Sequence, residues 1–187
     1  MYKDITSLNK PILFVHPGHE LYGSDRMLLL CVQAARKKYP EKPITVVLPK
    51  PGFLSQALSR IDNVTISIKK IGAIRKYDIR QLNFSALIRI LTFFRLIRFL
   101  NSFDFVYINT IIVIDYILAS HFCKPKAFIH VHEMPGKSSS GIFSNLLSFS
   151  GADLIFVSSA AKQSYRKLKN LKQTIIWNFC FYFHSNH

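Results

Sequence analysis

Near-continuous apolar blocks recur along this chain, each followed by a stretch of helical periodicity, and this alternation constrains the fold more than any other feature. A strand with one wet face alternates polar and apolar residues. The blocks ITVVL (44–48), FVYI (105–108) and LIFV (154–157) do not alternate, which suits strands covered on both faces of a parallel sheet. The pattern predicts strands at 11–16, 43–49, 63–68, 104–109, 126–132, 153–157 and 173–177. Helices are predicted at 25–38, 52–61, 81–102, 111–121, 141–150 and 159–170. Strand–helix alternation with right-handed crossovers gives an α/β chain with a Rossmann-like, doubly wound, mostly parallel sheet flanked by helices. A length of 187 residues suits one such domain.

In sheets of this kind ligands sit at the carboxyl ends of the strands, where helix N-termini aim free N–H groups. Polar residues collect at the predicted exits: His16, Asn109-Thr110, His132-Glu133 and Ser158-Ser159. Helix capping is a sufficient reason for Thr110 and for Ser158 or Ser159. It does not account for two histidines and a glutamate. His132, at a strand exit, is placed to meet a substrate hydroxyl or phosphate, whereas His130 reads as a partly buried histidine satisfied in the interior.

The first exit belongs to PILFVHPGHELYGSDR (11–26), a strand, a turn bearing Gly23, and a helix start at Ser24 or Asp25. Gly18, Gly23 and Ser24 have the outline of a phosphate-binding P-loop, but Asp25 stands where the lysine belongs. That excludes a P-loop ATPase. A dinucleotide fingerprint is also missing. Gly23 and Ser24 remain as a loop whose backbone can approach a ligand, with an ordinary βα turn as the alternative. Glu133 leads into MPGKSSSG (134–141), which has the composition of a loop over a site or of a plain surface loop.

Other classes can be set aside. Cys31, Cys123 and Cys180 are widely spaced, and His130 and His132, with Glu133 next, lack a third metal ligand at a recognisable spacing, so no metal is expected. The cysteine usage and an N-terminus without a leader-like apolar run point to the cytoplasm. Net charge is the exception to an otherwise ordinary composition: 25 Lys and Arg oppose 10 Asp and Glu, a formal +15. This favours anionic partners. Nucleic acid is disfavoured because the aromatic residues fall in core-like runs and no RNA- or DNA-binding signature occurs. The segment FSALIRILTFFRLIRFLN (84–101) carries Arg89, Arg95 and Arg98 on one half of a helix and Ile90, Phe93, Phe94 and Ile97 on the other. Such a helix suits either core packing or the surface of an anionic membrane, where arginines snorkel to headgroups.

The chain resembles the N-terminal, acceptor-side domain of GT-B glycosyltransferases, particularly the family-4 type acting on bacterial surface polysaccharides. The resemblance runs from about Pro11 to Asn178. ILFVHPGHELYGSDRMLL is similar to the family's opening strand, glycine-bearing loop and first helix. DFVYINT is similar to its central strand, FIHVHEMPG to the strand ending in histidine, and ADLIFVSSAAKQSY with TIIWN to the last strand, helix and linker. It implies a domain over 1–178 and a short tail outside the family pattern over 179–187. It also implies retaining transfer of a sugar from a nucleotide-sugar co-substrate to a saccharide or lipid-linked acceptor, with no further cofactor. Gly23 and Ser24 would approach the donor phosphates, His132 and Glu133 would serve catalysis, and His16, Asn109 and Ser158 would line the cleft. The family's paired donor-side glutamates have no counterpart, since no acidic residue follows Asp153. The expectation is therefore an N-terminal half, truncated or split, that needs a C-terminal domain or partner subunit for activity and docks peripherally on the inner face of the plasma membrane. The competing expectations are a non-catalytic phosphate- or lipid-binding module and the relic of a truncated gene.

Overall fold

The computed structural model describes residues 10–71, 85–136, 139–165, 168 and 172–176. Strand and helix alternate throughout: β1 (Ile12–Val15), α1 (Gly23–Lys38), β2 (Ile44–Leu48), α2 (Phe53–Leu58), β3 (Val64–Ile68), α3 (Ser85–Leu100) and β4 (Phe105–Asn109). The second half continues with α4 (Ile114–Ser120), β5 (Lys126–Val131), α5 (Ser140–Ser150), β6 (Asp153–Phe156), α6 (Ser159–Gln163) and β7 (Gln173–Ile175). The strands form one sheet in the order β3-β2-β1-β4-β5-β6-β7. Every pair in it is parallel. This is the expected Rossmann-like, doubly wound sheet. The chain moves outward from β1 in one direction, then crosses back to β4 and moves outward in the other, so the topological switch point lies between β1 and β4.

Both faces of the sheet are covered, which explains the unbroken apolar runs. Successive side chains on a strand point to opposite faces. Ile12 and Phe14 pack with Leu28 and Val32 of α1 and Leu54 and Leu58 of α2. Leu13 and Val15 join the opposite core with Leu100 of α3, Ile117 of α4 and Leu147 of α5. Helix ends follow familiar chemistry. Asp25 stands in the first turn of α1 and Arg36, Lys37 and Lys38 in its last, each on the favourable pole of the helix dipole. Gly151 takes the left-handed conformation (φ 68°) that ends α5.

Three helices depart from the predicted bounds by three residues or more at a described end. α2 stops at Leu58, before the predicted 61. α4 starts at Ile114 instead of 111, because Thr110 turns the chain with φ 100° and Val113 becomes the cap residue. α6 ends at Gln163, well short of 170. The predicted start of α3 at 81, the side chain of Arg89 and the tail at 179–187 lie outside the described residues.

Candidate functional site

The loops after β1, β4 and β5 meet at the switch point, where they bring together residues far apart in sequence. His16 follows β1 directly, Asn109 ends β4, and His132 follows β5. Adjacency of the three strands makes the assembly a consequence of topology. The polar atoms form one connected chain. His16 Nε2 stands 2.6 Å from Asp25 Oδ1. His16 Nδ1 stands 2.9 Å from Asn109 Nδ2. Asn109 Nδ2 also donates to the Ser24 carbonyl (2.9 Å), and Asn109 Oδ1 lies 2.8 Å from His132 Nε2.

Burial separates these residues into two tiers. Asn109 is fully buried, His16 is 1% exposed and Asp25 6% exposed. His16 and Asn109 therefore lie beneath the sheet edge, where they touch the groups that could meet a ligand. His132, Glu133 and Ser24 are half-buried and Gly23 is exposed. Burial lowers the His132 pKa, Glu133 opposes that shift and His16 adds to it. The ring is thus biased toward its neutral form.

Glu133 turns back onto the main chain. Its Oε2 accepts from the N–H of Ile111 (3.3 Å) and from the N–H of His132 (3.2 Å), tying the β4 exit to the β5 exit. Tyr165 O–H donates to the Glu133 carbonyl at 2.9 Å, and burial together with the nearby carboxylate pushes the Tyr165 pKa up. Beside this tie, Thr110 holds its positive φ with Oγ1 accepting from Ile112 N–H at 3.0 Å. Thr110 caps no helix, contrary to one expectation for it. A threonine in this region stores about 1–3 kcal/mol of backbone strain, of the kind that collects at functional sites. Ser158 does cap: its Oγ accepts from Ala161 N–H at 3.0 Å at the start of α6, one strand away from His132.

The glycines divide differently from the sequence reading. A Cβ on Gly23 would meet nothing within 4 Å, so packing leaves its backbone open at the head of α1. A Cβ on Gly18 would collide with Asp25 Oδ1 and lie 2.6 Å from His16 Nε2. One on Gly52 would strike the His19 carbonyl, which accepts from Leu54 N–H at 3.0 Å and so joins the loops after β1 and β2. Gly18 and Gly52 are the sterically required pair.

Sequence reasoning missed Asp25 as a member of the site, reading it as a helix start and as the residue standing in place of a P-loop lysine. Its partner His16 lay nine residues upstream, and a buried acid in the first turn after a His-Pro-Gly turn was the available signal. His130 is buried as expected but only half satisfied. Its Nδ1 stands 2.6 Å from Tyr107 OH, which in turn lies 3.2 Å from Cys31 Sγ, and its Nε2 has no partner among the described residues. Burial, helped by His132, pushes the His130 pKa down to about 3. Burial raises the Tyr107 hydroxyl and the Cys31 thiol. No described cluster of His, Cys, Asp and Glu could hold a metal ion.

A second surface lies on α3 and its neighbours. Ile90, Leu91 and Phe94 are exposed, as are Arg95 and Arg98. Aromatic contact continues from Phe93 to Phe122 (5.9 Å between centroids) and from Phe122 to Phe149 (6.0 Å), with His121 stacked on Phe149 at 4.2 Å. Phe122 and Phe149 are themselves 54% and 44% exposed. No described helix is long and apolar enough to cross a membrane.

No family model and no curated protein matches the sequence. Solved structures do match the fold. MurG of Acinetobacter baumannii is similar over 90% of this chain, with a TM-score of 0.57 and 12% identity. A glycosyltransferase from Rickettsia africae ESF-5 is similar over 91%, with a TM-score of 0.58 and 16% identity. This chain spans 45% and 43% of those two proteins, less than half of either. It has a glycosyltransferase-like α/β fold.

Proposed function

We propose that this chain is the acceptor-side half of a GT-B glycosyltransferase and that sugar transfer takes place over the exits of β1, β4 and β5. The observation that carries the reading is the buried chain Asp25–His16–Asn109 ending on half-buried His132 at the switch point. An interior that spends a buried carboxylate, two imidazoles and an amide at this edge is organised for more than packing. His132 meets the acceptor hydroxyl or the donor sugar. Glu133 positions the two loops through its main-chain bonds, and the backbone open at Gly23, with Ser24 beside it, leaves room for the donor phosphates. Groups are needed on both sides of a transferred sugar. The nucleotide-sugar side belongs to a donor half, either within a longer protein or on a separate chain. The reaction is read as retaining, in the family-4 manner, with a saccharide or lipid-linked acceptor of a bacterial surface polysaccharide.

The face of α3 fits the same setting. Exposed Ile90, Leu91 and Phe94, flanked by Arg95 and Arg98 on a chain of net charge +15, match an anionic lipid surface. Docking there would bring a lipid-linked acceptor to the enzyme on the cytoplasmic face of the membrane.

The test is a transfer assay. The chain is combined with its donor half and given labelled UDP-, GDP- and dTDP-sugars with a polyprenyl-linked saccharide. Transfer is expected with wild type and a loss of about 100-fold or more with His132→Ala at unchanged fold. Wild-type turnover by His132→Ala would remove His132 from the mechanism, and no transfer with any donor would overturn the glycosyltransferase reading.

A further inference from the structure

The carbonyl of Ser24 fixes the direction of every hydrogen bond in the buried chain. A carbonyl oxygen can only accept, so the atom of Asn109 placed 2.9 Å from it must be the amide nitrogen. The same nitrogen then faces His16 Nδ1 at 2.9 Å, closer than the Asn109 main-chain carbonyl, which lies 3.3 Å from that Nδ1. The shorter contact assigns Nδ1 a lone pair, because a proton there would oppose the amide N–H. The His16 ring proton therefore sits on Nε2, facing the Asp25 carboxylate at 2.6 Å, and the short contact is a donor–acceptor pair. On the other side, Asn109 Oδ1 can only accept, so His132 Nε2 at 2.8 Å carries a proton.

We infer that Asp25, His16, Asn109 and the Ser24 carbonyl form a one-way hydrogen-bond chain that holds His132 as its Nε2–H tautomer and leaves Nδ1 as the acceptor offered to a ligand. Asp25, His16 and Asn109 are positioning residues. Nδ1 of His132 has no partner among the described residues, and it is not among the buried polar atoms left unpaired. The charged and titratable groups around the ring are Glu133, His16 and His130, the last with its ring centroid 4.3 Å away. A lone pair at Nδ1 selects a hydrogen-bond donor. Under the proposed glycosyl transfer, on which this last step rests, the group met by His132 is a sugar hydroxyl and not a phosphate oxygen.

The tautomer is measurable without substrate, so the chain of bonds can fail or stand apart from glycosyl transfer. The uniformly 15N-labelled 187-residue chain is examined by long-range 1H–15N correlation at pH 7.5, where the two ring nitrogens of each tautomer have distinct shifts. Wild type is expected to show His16 and His132 each as a single Nε2–H species. In Asn109→Leu, which removes the acceptor, His132 is expected to relax to a mixture of tautomers while backbone amides away from the site keep their shifts. A wild-type His132 protonated on Nδ1, or already mixed, overturns the inference. So does an Asn109→Leu chain in which His132 keeps a pure Nε2–H form. If Asn109→Leu does not fold, Asn109→Gln, which keeps the amide on a longer stem, is compared with the wild-type spectrum. A His132 tautomer unchanged by that displacement counts against the chain, and a mixture supports it.

Discussion

The exits of β1, β4 and β5 and the outer face of α3 both depart from an ordinary protein surface, in opposite directions. At the exits polar and charged groups are buried, with Asp25, His16 and Asn109 each satisfied by another side chain. On α3 apolar groups are exposed, with Ile90, Leu91 and Phe94 each more than half uncovered beside solvent-facing arginines. Burying polarity costs free energy that only a complete set of partners offsets. Exposing large apolar side chains together marks a surface with a partner outside the chain. Under the proposed function the exits tie activity to folding stability, while the outer face of α3 is expected to tolerate change without unfolding.

The largest effect that would break this contrast comes from His16→Ala. It strands the Asp25 carboxylate in the interior, and loss of about 3–5 kcal/mol is expected in denaturant unfolding. A loss below about 1 kcal/mol would show that the pair is not buried as described. Gly18→Ala should come next, at about 2 kcal/mol, because its Cβ forces Asp25 and His16 apart. Its unfolding midpoint should be indistinguishable from wild type only if the loop can move away.

Acidity gives a graded test of the same interior. His130 is held neutral, with its pKa down at about 3 against an ordinary value near 6.5. Well above pH 6.5 neither the folded nor the unfolded chain protonates it, so it contributes no pH dependence to stability. As pH falls from about 6.5 toward 3 the unfolded chain gains a proton that the folded chain does not, so stability declines by up to about 1.4 kcal/mol per unit. His132 pulls in the same direction. Unfolding midpoints measured between pH 7.5 and 5 should fall, and His130→Leu should flatten the slope. An equal slope in that variant would assign the acid sensitivity elsewhere.

The smallest effects on stability belong outside the interior. Arg95→Glu with Arg98→Glu should leave the unfolding midpoint within about 0.5 kcal/mol of wild type. Flotation with anionic vesicles, by contrast, should weaken. Unchanged flotation would discard the membrane reading of α3. Gly23→Ala should be equally mild for stability, since its Cβ meets nothing. A fall in transfer at normal stability would place a ligand against that backbone.

The fold was legible in the sequence because double burial leaves an unbroken apolar run, as in ITVVL, and because strand and helix alternate along the described residues. Residues at the exits could be named one by one for the same reason. Their connection could not. Nothing local says that Asn109 reaches both His16 and His132, since strand order decides which exits adjoin. Gly23 drew notice through its place in a turn, whereas Gly18 and Gly52 matter through contacts with Asp25 and with the His19 carbonyl. The early end of α6 and the late start of α4 are of the same kind. The turn at Thr110 overrides an apolar pattern that would have continued the α4 helix back to 111.

The most direct test of the account locates the ligand. The 15N-labelled 187-residue chain is titrated with a short-chain polyprenyl-linked saccharide and with UDP-, GDP- and dTDP-sugars while the backbone amides are followed. Shifts are expected at Gly23, Ser24, Ile111 and His132, the loops after β1, β4 and β5, with saccharide perturbation sparing the face of α3. Perturbation confined to α3 or to α6, with the three loops unmoved, would contradict it.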